Sequence, residues 1–123
     1  MGLHSIQRQH IEIMHAEMIP ANLKLLENII VACQSRNIRV ALITTPVHHS
    51  YSDFMDSAKY QTMQDNLKYL VERYQVLYRN YLSDPRFIDS DFYSHDHVNT
   101  KGSIKLSKII DEEIIEPLLA LTQ

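Results

Sequence analysis

The chain contains 123 residues with a mass of 14.4 kDa, and 45% of its residues are apolar and 22% charged. This length accommodates one domain, and the composition is typical of a folded chain rather than a disordered one. With 12 Lys and Arg against 15 Asp and Glu, the net charge is −3, so we expect no nucleic-acid partner. One cysteine and two glycines exclude a disulfide framework and a glycine-rich phosphate loop. The longest apolar run is too short to span a bilayer, so we expect no membrane span.

The first part of the chain predicts two helices followed by a strand. Apolar residues recur at helical spacing over Leu3–Met18. Pro20 interrupts this pattern and suits the first turn of a second helix, whose apolar positions extend to Cys33. The run Ile38–Thr45 is β-branched and apolar on successive residues, which is typical of a strand covered on both faces in a parallel sheet. Pro46 ends this predicted strand, and a polar loop follows.

The second part predicts a long helix, a second strand and a closing helix. Apolar and aromatic residues step by three and four over Tyr60–Tyr81, which predicts a helix. After the turn dipeptide Asp84-Pro85, the residues Arg86–Asp89 are predicted as a short strand and Ser90–Asn99 as a polar loop. The closing helix is predicted over Thr100–Leu119, with Thr100 as its N-cap. Four of its isoleucines are predicted to face inward: Ile104, Ile109, Ile110 and Ile114.

The predicted order of elements is helix, strand, helix, strand, helix. Parallel strands joined through a helix require a right-handed crossover, with helices lying on the sheet faces. We therefore predict a single α/β domain over residues 1–123, built as a three-layer sandwich around a short parallel sheet. Two strands are few for such a sheet, and one edge of the first strand stays unpaired. Either a second copy of the chain pairs there as a homo-oligomer, or an N-terminal segment of a larger sheet is missing.

The polar residues that follow the two predicted strands define the candidate site. In an open parallel sheet, ligands bind beyond the carboxyl ends of the strands, and neighbouring strands end at the same edge. The first exit carries His48 and Tyr51, and the second carries His97 and Asn99. We expect His48, Tyr51 and Asn99 to contact a substrate at this edge.

The second exit contains the string Asp91-Phe-Tyr-Ser-His-Asp-His97-Val-Asn99-Thr-Lys-Gly102. This string resembles the last conserved block of the SGNH (GDSL-like) hydrolases. The strand Ile38–Thr45 and the following Pro46 are similar to the penultimate strand of acyl-hydrolase-like members of that family. The resemblance covers most of the chain. It implies a flavodoxin-like fold, of which this chain would be the C-terminal half.

The resemblance implies a serine esterase or acyltransferase mechanism that acts on an acyl ester without a cofactor or metal. His97 aligns with the family's base, which takes a proton from a serine and returns it to the leaving group. Asp96 and Asp91 are the candidates for the carboxylate that orients the ring, with Asp89 as a further alternative. The family's usual position for that carboxylate, three residues before the histidine, is Ser94 here. The chain contains no Gly-Asp-Ser nucleophile block and no oxyanion-hole block, so we expect it to be inactive on its own.

Two alternative interpretations use the same residues differently. A non-catalytic structural or interaction module would form a homodimer through the open strand edge. A small metal-binding protein would use His48 with His49, and His95 with His97. A His-x-His spacing in an extended segment places both rings on one side. No further pattern supports a metal, and we expect none.

Overall fold

The computed structural model describes residues 16–121, in which helices and short strands alternate. Its first elements are a 3-10 turn Ala16–Met18, α1 Ile19–Gln34, β1 Ala41–Thr44, α2 His49–Ser52, α3 Ser57–Tyr74 and β2 Leu77–Asn80. The remaining elements are a 3-10 turn Asp89–Asp91, β3 Phe92–Ser94, β4 His97–Val98, α4 Thr100–Ile110, a π-helical turn Asp111–Ile115 and α5 Glu116–Ala120.

The structure is mixed α/β, and the predicted order helix, strand, helix, strand, helix is present in α1, β1, α3, β2 and α4. Pro20 lies in the first turn of α1, as predicted. β1 occupies part of the predicted strand Ile38–Thr45. The helix predicted over Leu3–Met18 lies outside the described residues, except for the 3-10 turn at its end. No helix within residues 16–121 is long and apolar enough to cross a membrane.

Three predictions for the middle of the chain were wrong, and one of them is the polar loop Ser90–Asn99, which contains β3 and β4. The helix predicted over Tyr60–Tyr81 ends at Tyr74, and the second strand is β2 rather than Arg86–Asp89, which forms turns. The helix ends because Gln75 adopts the left-handed conformation, with φ 56° and ψ 37°, and its N–H donates to the Val71 carbonyl. Glutamine rarely adopts this conformation, and the apolar spacing of α3 continues into β2. The apolar spacing of the sequence therefore gave no indication that the helix ends at Tyr74.

By internal contacts, the described residues divide into two compact units. The first unit consists of residues 16–40 and Phe54–Tyr78, and the second of Ala41–Asp53 and residues 79–121. The division runs through β2, which begins in the first unit and ends in the second. The single domain over residues 1–123 therefore stays a prediction.

In the first unit, α1 packs against α3. Ile30 and Leu70 are fully buried, and burying such a side chain stabilises the fold by about 1.5–3 kcal/mol. On the polar side of the contact, Glu27 accepts hydrogen bonds of 2.8 Å from the hydroxyls of both Tyr69 and Tyr74. These bonds lower the pKa of Glu27, with the bond from Tyr74 the larger cause.

In the second unit, β1 and the end of β2 form a two-stranded parallel sheet. Pairing continues beyond the strands, because Tyr81 N–H donates to the Thr44 carbonyl at 2.9 Å and Val47 N–H donates to the Leu82 carbonyl at 3.0 Å. Among the described residues no third strand joins this sheet, and Ile43 in β1 is 37% exposed. β1 is therefore less covered than the predicted central strand, and the three-layer arrangement stays a prediction.

The closing helix α4 begins at Thr100, and its N-cap is Asn99 rather than Thr100 as predicted. The Asn99 side chain accepts a hydrogen bond from Gly102 N–H at 3.0 Å. Ile109 is buried as predicted, but Ile104 is 68% exposed. A separation of five residues puts the two isoleucines on different faces of an α-helix, so they cannot both point inward.

A π-helical turn, Asp111–Ile115, joins α4 to α5. The N–H of Glu116 donates to the Asp111 carbonyl, five residues earlier. Ile109 and Ile114 are also five residues apart and both buried, although a regular α-helix would separate them by about 140°. The wider turn keeps them on one face. Pro117 follows in the first turn of α5 and has no N–H to donate to the carbonyl groups of the preceding turn.

Candidate functional site

The segment that follows β1 and the β3–β4 hairpin lie side by side in the second unit. His48 N–H donates to the His95 carbonyl at 2.9 Å. The Tyr51 ring stacks on the His95 ring, with 5.6 Å between centroids and an interplanar angle of 10°. The predicted meeting of the two histidine-bearing exits is therefore confirmed. The strand that precedes the second exit is β2, however, and not Arg86–Asp89.

The hairpin brings three polar side chains together. β3 and β4 are antiparallel, Ser94 is opposite His97, and the turn between them consists of His95 and Asp96. Asp96 Oδ1 accepts a hydrogen bond from the Ser94 hydroxyl at 2.9 Å and lies 2.8 Å from His97 Nδ1. Adjacent side chains point to opposite faces of a regular strand. The tight turn at Asp96 removes that constraint and lets neighbouring residues meet.

The hydrogen bond between Asp96 and His97 leaves the Nε2 atom of His97 as the proton acceptor of the pair. A carboxylate only accepts hydrogen bonds, so His97 Nδ1 carries the hydrogen and Nε2 has a free lone pair. The His97 side chain is 72% exposed, and its Nε2 bonds to no residue in the described part of the chain. Partial burial raises the pKa of Asp96, but the bonds from His97 and Ser94 lower it by more, so its pKa lies below the ordinary value.

Asp91, the other predicted orienting carboxylate, lies elsewhere. Its side chain is fully buried, where it bonds to Lys105 and accepts from Ile88 N–H at 2.9 Å. The Lys105 bond, followed by the Ile88 bond, holds the pKa of this carboxyl below its usual range. The structure therefore joins Asp91 to α4 and does not bring it to His97.

Asn99, predicted to contact substrate, is half-buried and bonds within the fold. Its side-chain amide donates to the Ser90 carbonyl at 2.8 Å, its side-chain oxygen caps Gly102 N–H, and its own N–H donates to the Asp91 carbonyl. A Cβ on Gly102 would lie 2.3 Å from the Asp91 oxygen and 2.8 Å from Val98 Cβ. The Asn-x-x-Gly part of the string is thus accounted for by packing.

A second polar cluster surrounds His48, the other predicted substrate-binding histidine. His48 Nε2 lies 3.1 Å from Asp89 Oδ1, and its Nδ1 accepts from Ser50 N–H at 3.1 Å and lies 2.7 Å from the Ser50 hydroxyl. His49 Nε2 lies 3.7 Å from the same Asp89 oxygen. Asp89 therefore contacts His48 and His49 rather than His97.

A cleft of about 140 Å³ opens beside this cluster. Pro85, Phe87 and Phe92 give it apolar walls, and His48, His49 and Asp89 lie at its border. The sequence analysis did not predict that Asp89 lies beside His48 and His49. The His-His dipeptide after a strand was the one available signal, and its partner lies 41 residues away in the chain.

Comparisons with protein-family models, curated proteins and solved structures gave no match to this chain. The resemblance to the SGNH hydrolases therefore depends on the residues quoted above. The hydrogen-bond geometry of the described residues is the separate basis for the function proposed below.

Proposed function

We propose that this chain carries the general-base part of a serine esterase or acyltransferase site of the SGNH type. In this proposal His97 is the base and Asp96 is the carboxylate that orients it. The observation that carries the proposal is the 2.8 Å hydrogen bond between His97 Nδ1 and Asp96 Oδ1, which leaves Nε2 free at the surface. The flavodoxin-like, three-layer fold of that family is part of the same proposal.

The chemistry follows from the position of the ring hydrogen. With Nδ1–H bonded to Asp96, the Nε2 lone pair accepts the proton of an attacking hydroxyl and later returns it to the leaving alcohol. The carboxylate stabilises the imidazolium that forms between these steps. Ser94 occupies the position of the family's usual carboxylate, and its hydroxyl donates to Asp96. The orienting charge is therefore supplied two residues later in the chain.

The nucleophile and the oxyanion donors are not among the 123 residues, which contain no Gly-Asp-Ser block. In the proposed site they come from a segment outside this sequence, and the substrate is an acyl ester that lies between that segment and His97. An oxyanion donor contributes about 3–4 kcal/mol to such a reaction. This chain alone is therefore expected to turn over natural esters negligibly.

An activated ester tests the base without the serine. The free Nε2 lone pair can itself attack p-nitrophenyl acetate, forming an acyl-imidazole and releasing p-nitrophenolate before water removes the acyl group. We expect His97→Ala to remove most of the rate above buffer. His49→Ala is the matched control, because His49 is also exposed but has no hydrogen bond as short as that of His97. Equal rates for the unaltered chain and His97→Ala would contradict the proposal.

One observation favours a second candidate function, a non-catalytic module that forms a homodimer. In the described residues the parallel sheet has two strands, and Ile43 of β1 is exposed. An unpaired edge with exposed apolar residues can pair with a second copy. Light scattering at micromolar concentration separates the alternatives, because a stable monomer would exclude the homodimer.

A further inference from the structure

We propose that His48, His49 and Asp89 bind a divalent transition-metal ion, with Zn²⁺ as the best match. The ligand atoms would be Nε2 of each histidine and Oδ1 of Asp89. This inference goes beyond the proposed function, in which these residues bind no metal.

The distances between the three ligand atoms suit a small tetrahedral ion. Asp89 Oδ1 lies 3.1 Å from His48 Nε2 and 3.7 Å from His49 Nε2, and one atom from each residue lies within 4.8 Å of the others. Metal–ligand bonds of about 2.0–2.1 Å place tetrahedral ligand atoms about 3.4 Å apart. The two distances from Asp89 are therefore close to those between ligand atoms in a tetrahedral site.

Each histidine has a polar group beside its other ring nitrogen. His49 Nδ1 lies 3.6 Å from Asp53 Oδ2, one helical turn further on, and His48 Nδ1 lies 2.7 Å from the Ser50 hydroxyl. A group in such a position can accept a hydrogen from Nδ1 when Nε2 binds a metal, which requires a small approach of Asp53 to His49 and a change of tautomer at His48. The carboxylate–histidine pair of Asp53 and His49 is a common arrangement behind metal ligands.

Metal binding changes one hydrogen bond of the fold. Without metal, His48 Nδ1 accepts from Ser50 N–H, so the ring hydrogen lies on Nε2 and is donated to Asp89. With metal on Nε2, that hydrogen must lie on Nδ1, from where it donates to the Ser50 hydroxyl. The Ser50 N–H then loses its acceptor. Binding is therefore expected to shift the backbone amide resonance of Ser50.

The donor set selects among metals. Two imidazoles and one carboxylate favour Zn²⁺ and its neighbours over Mg²⁺ and Ca²⁺, which prefer oxygen ligands. Three protein ligands leave one coordination position open, and the same three residues line the cleft of about 140 Å³. A small ligand of the ion has space there.

The test is calorimetric titration with Zn²⁺, supported by the visible spectrum of Co²⁺. We expect one ion per chain and a loss of at least about tenfold in affinity for both His49→Ala and Asp89→Asn. Both side chains are exposed, at 65% and 82%, so these variants are expected to fold. His97→Ala is the matched control, since it removes an exposed histidine with a carboxylate partner outside the cluster.

A second control removes His4, His10 and His15 together, because these histidines lie outside the described residues. Unchanged affinity in this triple alanine variant, with a Zn²⁺-induced shift of the Ser50 amide, supports the site. The proposal is overturned by any of three results: no saturable binding, binding that disappears in the triple variant, or binding that neither His49→Ala nor Asp89→Asn weakens.

Discussion

At the scale of single residues, the side-chain hydrogen bond between Asp96 and His97 depends on the tight turn in which the chain reverses its direction. Asp96 is the last residue of the hairpin turn, and His97 is the first residue of β4. The ring of His97 and the hydroxyl of Ser94 both bond to this carboxylate. Asp96 is therefore bound from both strands of the hairpin, which gives a surface histidine a fixed ring orientation.

The pKa of Asp96 provides a measurement of this arrangement. Its folded-state value lies below 3.8 because the hydrogen bonds from His97 and Ser94 outweigh partial burial. The stabilisation is complete above the unfolded-state pKa and is lost as the pH falls through the lower folded-state value. We predict that the carboxyl carbon resonance of Asp96 titrates with a midpoint below 3.8, and that His97→Ala raises this midpoint by more than Ser94→Ala. An unchanged midpoint in both variants would contradict the bonding.

Gly102 lies at a position where the surrounding atoms leave no space for a side chain. Its missing side chain allows the backbone of Asp91 to approach α4, and a Cβ would lie 2.3 Å from the Asp91 oxygen. We predict that Gly102→Ala destabilises the fold by about 1–3 kcal/mol in urea unfolding, because backbone atoms must move. Ser103→Ala is the control, since Ser103 is exposed on the same helix turn. Equal stabilities for the two variants would show that the close approach is not present in solution.

At the scale of elements, the parts of the fold that the sequence predicted were those marked by particular residues within the element itself. Pro20 marks the start of α1, and a β-branched run marks β1. The left-handed Gln75 and the π-helical turn Asp111–Ile115 were not indicated by the apolar spacing of the sequence. The hairpin was also missed, because its strands have three and two residues and are too short for a repeating pattern.

Gln75 offers a direct test of how α3 ends. A residue other than glycine in the left-handed conformation is strained by about 1–2 kcal/mol, and glycine relieves this at an entropic cost of about 0.5–1 kcal/mol. We predict that Gln75→Gly stabilises the fold by about 0.5–1 kcal/mol in urea unfolding. Gln61→Gly, within the same helix, is the control and should destabilise by about 1 kcal/mol. Destabilisation by both substitutions would indicate that α3 continues beyond Tyr74.

At the scale of the whole molecule, the meeting of the two exits could be predicted from strand direction, but the pairing of their side chains could not. Parallel strands end at the same edge whatever their side chains, which places Val47 beside Leu82, and the hairpin then brings His95 to His48. The contact of Asp89 with His48 depends on the path of the turns at 82–88. The sequence analysis predicted a strand over Arg86–Asp89 in place of the last of these turns. Asp96 was one of the three candidate carboxylates, and the tight turn that brings it to His97 was not recognised in the sequence.

The proposed homodimer would form through the open edge of β1. If the homodimer forms through this strand, a charge at Ile43 should disfavour it, because charged residues on edge strands block pairing. We predict that Ile43→Lys shifts a dimer to monomer in light scattering at equal concentration. Ile38→Lys is the control, since Ile38 is exposed but precedes β1. If the unaltered chain is already monomeric, the homodimer interpretation fails.

The hydrogen bond from His48 N–H to the His95 carbonyl uses only backbone atoms. Any amino acid other than proline can supply that donor, and every amino acid can supply that acceptor. This backbone part of the contact between the two segments, unlike the Tyr51–His95 stacking, therefore does not depend on which side chains they carry. Substitutions can therefore replace the reactive side chains of these two loops while the backbone hydrogen bond between the loops is kept. The same backbone arrangement could then support a different reaction.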